Sequence, residues 1–394
     1  MINTTLLPVV AGIMFLVGYQ QGPAPVFQAQ TIDTNLQIGY GVALADVDGD
    51  GKTDVLLADK KQFAWYRNGD WKKFVMIENL TTFDNVCIAA RDVDGDGKCE
   101  VAVGAQWNPS ETSDTAKSGS VHFLVRPADP TQPWTAIELH HEPTVHRMRW
   151  VKAANGTFFL VVAPLHGRGN TGGTGQGSKI LAYQYAANPR QTWRIDTIEN
   201  SMHLTHNLEP RESGNGNNTG LYLAGKEGIS FISNNFSKAL GTGKILPGLQ
   251  QGAGEIRMGS LSRGNNFLTT IEPMHGTEVV VYLTQPSTRR IVLDDDVKEG
   301  HALAAADFLG NGTDQVAAGW RLPNKSGKVG IKLYYKTDNS GTRWQSSWID
   351  ENTMACEDLQ VADLDRDGKP DIVASGRATK NLKIYWNKTA SPKR

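Results

Sequence analysis

Asp46, Asp48, Asp50 and Asp54 stand at positions 1, 3, 5 and 9 of the stretch DVDGDGKTD, and the chain repeats that spacing. Asp92, Asp94, Asp96 and Glu100 repeat it in DVDGDGKCE, and Asp363, Asp365, Asp367 and Asp371 in DLDRDGKPD. Carboxylate oxygens so placed around a glycine turn can wrap one hard cation, and calcium suits them. The carbonyl of Lys52, Lys98 or Lys369 at position 7 would add a ligand. Asp307–Asp314, DFLGNGTD, is a decayed relative. Leu309 and Asn311 replace two acids there, so no tightly held ion is expected.

Each of these loops runs into a short apolar stretch: VLLAD, VAVGA, QVAAG or DIVASG. Units of roughly 45–60 residues built this way indicate a repeat architecture. Every unit can be cut into four short strands, with the first two joined by the acidic turn where it is present. Seven units result, and the seventh lacks its fourth strand. FQAQTID (27–33) supplies it, because its pattern matches SSWIDEN and WRIDTIEN. An N-terminal strand that completes the last sheet closes a ring and removes exposed edges. The predicted fold is therefore all-β, a seven-bladed β-propeller over residues 26–390. KILPGLQ (244–250) is the expected fourth strand of blade four. Long polar loops are predicted at 107–118 and 167–177.

Consecutive antiparallel strands alternate direction, so all acidic turns share one face of the disc. Second-to-third and blade-to-blade connections share the other. Of the nine histidines, only His122 falls mid-strand; the remaining eight map to the face opposite the acidic turns. His140, His141 and His203 lie near blade-to-blade connections. His146, His206 and His301 open innermost strands, while His166 and His275 follow second strands. Tyr40, Asn85, Glu255 and Glu357 open innermost strands as well, and Lys60, Gln106, Lys226, Arg321 and Arg377 end second strands. A funnel lined by imidazoles, carboxylates and cations is a site candidate. Neutral imidazoles of His146, His206 and His275 could converge across it on zinc or another divalent transition metal. His166 and His301 are held in reserve as ligand or proton carrier, with Glu209 and Glu272 as carboxylates that orient the ligands.

Composition narrows the function classes. A 394-residue chain with 39% hydrophobic residues, 41 glycines and a net charge of −1 can build a large core, and it gives no reason to expect nucleic acid or an anionic membrane as partner. Leu6–Gly18 has the length of a signal-peptide core and is short for a membrane span, so residues 1–25 read as a signal peptide or N-terminal apolar segment. Export to a periplasmic or extracellular space is expected, with an N-terminal membrane anchor as the alternative. Cys87, Cys99 and Cys356 form no disulfide framework and are taken as packing residues.

The acidic loops resemble the FG-GAP or VCBS repeats of integrin-like propellers, over blades one, two, six and seven. HEPTVHRMRW (141–150), HNLEP (206–210), EPMHG (272–276), EGHALAAADFLGNG (299–312) and the last repeat resemble the propeller domain of the fungal aldos-2-ulose dehydratases (anhydrofructose dehydratases) and their bacterial relatives. The resemblance implies elimination of water from a keto-sugar and metal ions in the propeller. It does not extend to the additional cupin-like domains, which leaves the isomerisation step of those enzymes out of the expectation.

On that footing the expected function is a metal-assisted carbohydrate lyase or dehydratase. His166 or His301 would act as base and Tyr40 or Glu255 would help the β-oxygen leave, assisted by Arg321. Lys226, Arg377 and Arg321 would hold sugar hydroxyls or a uronate, and Trp107, Trp150 and Trp320 would offer stacking surfaces. Two rivals stand beside it. One is a non-catalytic, calcium-stabilised adhesion or glycan-binding propeller. The other is a uronate polysaccharide lyase that uses a histidine–tyrosine pair without a transition metal.

Overall fold

The computed structural model describes residues 25–212, 220–233, 249, 251–262, 264–285 and 287–390. The expected signal segment and most of the expected strand at 244–250 lie outside the described residues. Among those described, the strands form seven antiparallel sheets, six of four strands and one, in blade four, of three. The chain is a seven-bladed β-propeller. Innermost strands of successive blades pack side by side around a central channel.

Second strands are the most deeply buried and read as continuous apolar runs, such as Asp54–Ala58, Glu100–Ala105 and Gln315–Trp320. Fourth strands are half-exposed and alternate in polarity, as Arg289–Asp294 does. Both patterns follow from position, since a second strand has sheet on both faces and a neighbour on each edge. Side chains between adjacent blades form the core clusters; one of these joins Leu56, Phe63 and Trp65 of blade one to Val101 and Val103 of blade two.

Ring closure uses the N-terminal strand Phe27–Asp33, which pairs antiparallel with the last strand, Asn381–Asn387, so that Phe27 faces Asn387 and Gln30 faces Ile384. A clamp between blades repeats three times. Asp33 accepts Tyr66 OH at 2.6 Å and Lys73 at 3.1 Å. Asp294 accepts Tyr334 OH at 2.8 Å and Lys332 at 2.7 Å. Asp350 accepts Tyr385 OH at 2.7 Å and Lys383 at 3.1 Å. In each case the acid sits on a fourth strand and the tyrosine on the third strand of the next blade. Burial raises all three phenol pKa values, and the facing carboxylates raise them further.

His122, on the third strand of blade two, is 8% exposed, and burial holds its pKa down to about 4. A depressed histidine pKa stabilises the fold above the unfolded value near 6.5 and ceases to do so as pH falls through about 4. His122→Phe should therefore lose about 3 kcal/mol less than the parent between pH 6.5 and 4. Urea unfolding across that range checks this, and identical slopes for the two proteins would refute it.

Candidate functional site

In four blades the register between first and second strands slips by one residue as the innermost strand begins. The skipped residues are His146, His206, His301 and Glu357. A β-bulge re-aims the side chain of its extra residue, and here it turns one polar group per blade into the channel mouth. Gly254 keeps the same place in blade five open, where a Cβ would come within 3.1 Å of the His275 amide nitrogen.

The bulged imidazoles are oriented alike. His146 Nδ1 lies 3.0 Å from His206 O, His206 Nδ1 2.8 Å from Gly254 O, and His301 Nδ1 2.5 Å from Glu357 O. A carbonyl only accepts, so the partners place the proton on Nδ1 and leave Nε2 with its lone pair. His206 Nδ1 is also 3.4 Å from Glu255 Oε1, a longer second contact. Burial lowers the pKa of His146, His301 and His275, that of His275 to about 2, and nearby Arg147 or Arg321 lowers it further. All three are neutral at pH 7, as metal ligands must be.

His206, His275 and His301 come together, with one ring nitrogen of each within 4.8 Å of the others. His275 reaches in from the connection after the second strand of blade five, at φ 53°. His301, expected only as a reserve, thus takes the place expected for His146. His146 is adjacent, its ring 4.8 Å from that of His206. Its Nε2, however, faces Arg147 Nη1 at 3.4 Å, which occupies the lone pair. Arg321 Nη2 donates to His275 Nδ1 at 3.2 Å, and His275 Nε2 donates to His206 Nε2 at 2.7 Å.

These contacts belong to a circuit through all seven blades. From His146 it passes to Trp107, whose ring is 5.1 Å away and whose amide donates to Asp84 O at 2.9 Å. Tyr40 OH donates to Asp84 Oδ2 at 3.0 Å, and the Arg377 guanidinium lies 5.4 Å over the Tyr40 ring. Arg377 pairs with Glu357 at 2.9 Å, Glu357 with Arg321 at 3.4 Å, and Arg321 with Glu299 at 2.5 Å. Glu299 and Asp84 were not singled out from sequence. Glu299 opens no strand, but at φ 55° it is a non-glycine residue in the left-handed region, a strain that marks functional sites. Tyr40 keeps its proton at neutral pH, because burial and Asp84 raise its pKa.

Below the mouth, Glu255 is 1% exposed. Burial alone would raise its pKa; contact with His206 and the charges of Arg257 and Arg147 bring it down to about 2. It is an anion that orients neighbours and has no proton to give. It accepts Asn207 Nδ2 at 2.6 Å and pairs with Arg257 at 3.3 Å.

Other expected site residues sit elsewhere. Trp150 is 4% exposed, bonds Glu100 O at 3.2 Å and packs on Tyr185 and Trp193 between blades, so it offers no stacking surface. Trp320 is fully buried, bonds Lys328 O and lies against Trp348. Glu272 is taken up by Arg290, Tyr282 and Thr270, and Glu209 by Arg257 at 3.8 Å; neither orients a cluster imidazole. Lys226 ties down the 167–177 loop through Gly172 O at 3.0 Å. His166 sits one strand out, its amide bonded to Thr144 Oγ1 and its Nδ1 buried without a partner among the described residues.

In the acidic loops, Asp46, Asp48 and Asp50 form one candidate cation group and Asp92, Asp94 and Asp96 a second; the third is Asp363, Asp365 and Asp371. Position 9 also pins the loop. Asp54 accepts the amides of Val47 and Asn68, Asp371 those of Leu364 and Asn387, and Glu100 that of Val93. Burial raises these carboxyls, to about 7 for Asp54 and Glu100 and about 6 for Asp371, with neighbouring aspartates adding to it and, for Glu100, Arg126 opposing it. In blade six Gln315 replaces the ninth acid and accepts the Leu309 amide.

Removing the Glu255 charge would leave buried Arg257 short of its partner. Glu255→Gln should therefore cost about 3–5 kcal/mol in urea unfolding, and adding Arg257→Met should restore part of it. A change below 1 kcal/mol would show that the pair carries no such weight.

The FG-GAP-like repeat family matches residues 27–103, which span the closing strand, blade one and the start of blade two. Curated proteins yield no match to this chain. Among solved structures, a chain of the mitotic checkpoint complex superposes with TM-score 0.59 at 10% identity, covering 98% of this chain and 100% of its own. BBS1N, solved in complex with ARL6DN, gives 0.58 at 14%, covering 93% and 98%. The WD40 β-propeller domain of Doa1 gives 0.54 at 11%, covering 92% and 97%. At these identities the likeness speaks for the fold alone. The chain is thus a seven-bladed β-propeller that carries an FG-GAP-like repeat.

Proposed function

We propose that this protein is an exported, metal-assisted carbohydrate lyase that eliminates water or an alcohol from a keto-sugar, with its site at the channel mouth. The observation that carries the reading is the convergence of His206, His275 and His301 from three blades, with the Nδ1 atoms of His206 and His301 fixed by carbonyls. Three imidazoles suit zinc or a similar divalent ion and leave a position for substrate. The likeness of 141–150, 206–210, 272–276 and 299–312 to aldos-2-ulose dehydratases supports the same chemistry.

A cation held there would polarise a sugar carbonyl and acidify the neighbouring C–H. With Nε2 given to the cation, His275 would carry its proton on Nδ1, facing Glu299 Oε2 at 3.6 Å in place of the Arg321 contact. Glu299, with a side chain 36% exposed, takes the proton from carbon. Tyr40 gives its proton to the departing β-oxygen. Arg321 and Arg377 hold the sugar oxygens, and Trp107 offers an apolar wall.

The acidic loops hold calcium in this reading and stiffen the opposite face. What supports it is the set of buried, under-compensated acids at position 9, whose raised pKa values a cation would bring down. A non-catalytic binding propeller is the second reading. The circuit of hydrogen bonds, ring contacts and ion pairs around the mouth favours it, since a rigid polar rim suits docking as well as catalysis.

His206→Ala/His301→Ala should remove transition metal, seen by elemental analysis, and abolish formation of the conjugated enone from a keto-sugar, while calcium content stays the same. Full turnover in the double variant would overturn the catalytic reading. Calcium at about a hundred times its Kd should stabilise the protein by about 2.7 kcal/mol per loop, and Asp48→Asn/Asp94→Asn should remove the share of two loops. An unchanged melting temperature with calcium would refute the loop assignment.

A further inference from the structure

A polar groove crosses blade two on the same face as the histidine cluster. Two contiguous clefts of about 480 and 380 Å³ share Thr115, Glu138 and His141. One end is walled by Thr81, Thr82 and Gln106, the other by His140 and Arg168. None of these groups belongs to the metal cluster, and the long loop at 107–118 exists, on this view, to build one wall.

The floor is unusual. Ser120 and His122 line it, are 4% and 8% exposed, and hold a hydroxyl oxygen and an Nε2 that have no hydrogen-bond partner among the described residues. Glu138 pairs across the strands with His122. Buried polar atoms left unpaired are costly, and a protein gains nothing from two of them side by side unless something else completes them. The other polar groups of the lining are hydroxyl, amide and imidazole, with Leu80, Ala116 and Leu139 between them. Its charges are Glu138 and Arg168, and Arg168 is paired with Glu142 at 2.6 Å. Such a surface has donors and acceptors for a neutral, hydroxyl-rich chain and no excess of either sign for a polyion.

Two aromatic residues follow the wall residues Thr82 and Gln106 in the chain. Phe83 is 42% exposed, and its amide donates to Gln106 Oε1 at 3.1 Å. Trp107, next in chain to Gln106, packs on His146. Apolar ring faces beside hydroxyl partners are what a pyranose needs, with its C–H face against one and its hydroxyls on the other.

We propose that this groove is a subsite for a neutral oligosaccharide, which binds along blade two and delivers its terminal unit to the channel mouth. The proposal rests on the carbohydrate reading of the mouth and adds chain length as the determinant of affinity. It assigns Phe83, Thr115, Glu138 and His141 to substrate contact.

Calorimetry on the calcium-loaded full chain, titrated with gluco-oligosaccharides of one to four units, tests it. Affinity should rise with length. Phe83→Ala/Glu138→Ala, both at exposed positions, should weaken the longer ligands about tenfold and leave the single unit unchanged. Length-independent affinity, or an undiminished gain in the double variant, would overturn the groove. The two readings fail separately. Keto-sugar turnover without a length effect removes the groove and keeps the lyase. A length effect without turnover or transition metal removes the lyase and keeps the groove. Binding of no saccharide at any length removes both.

Discussion

A side-chain N–H donated to a main-chain carbonyl of the next blade is the interaction on which the channel mouth depends. It occurs at His146, His206 and His301, and each instance does two jobs. It fixes the tautomer, and it ties the innermost strand of one blade to that of its neighbour where no sheet hydrogen bond is available. The bulge makes this possible by lifting one residue out of the ladder.

The same logic governs the charges. Buried Arg257 and Glu255 are tolerable because they pair with each other, Arg147 donates to His146 O at 3.1 Å, and the mouth above them is laced by Arg321, Arg377, Glu299 and Glu357. An arrangement so interlocked resists rotation of any one side chain. Preorganisation of that kind is what a cation site or a transition state requires, because the cost of ordering is met during folding.

Much of the fold was legible in the sequence. The acidic turns and the apolar runs after them are local and periodic, so blade number, strand order and the closing strand Phe27–Asp33 could be read directly. The face of the histidines followed from strand direction alone. What could not be read was the detail that depends on a one-residue slip. His301 rather than His146 completes the cluster because Arg147, the residue after His146, occupies that lone pair, and sequence gives no hint of it. Trp150 follows Arg149, whose parity carries it to the channel, so the indole turns the other way into the blade interface. Glu299 was missed because it sits on no strand and, although it opens the stretch 299–312, nothing local marks it; its positive φ and its contacts with Arg321 and His275 identify it.

The closing seam has a mechanical consequence. Phe27 lies opposite Asn387, so the two ends of the ring leave it from the same edge. A load applied between them would peel the strand pair bond by bond, as a zipper opens, instead of shearing all its bonds together. The Asp33 clamp to Tyr66 and Lys73 sits at the far end of that strand and would be the last restraint to yield. A tethered propeller of this kind would therefore open at one blade under tension while the other six kept their shape.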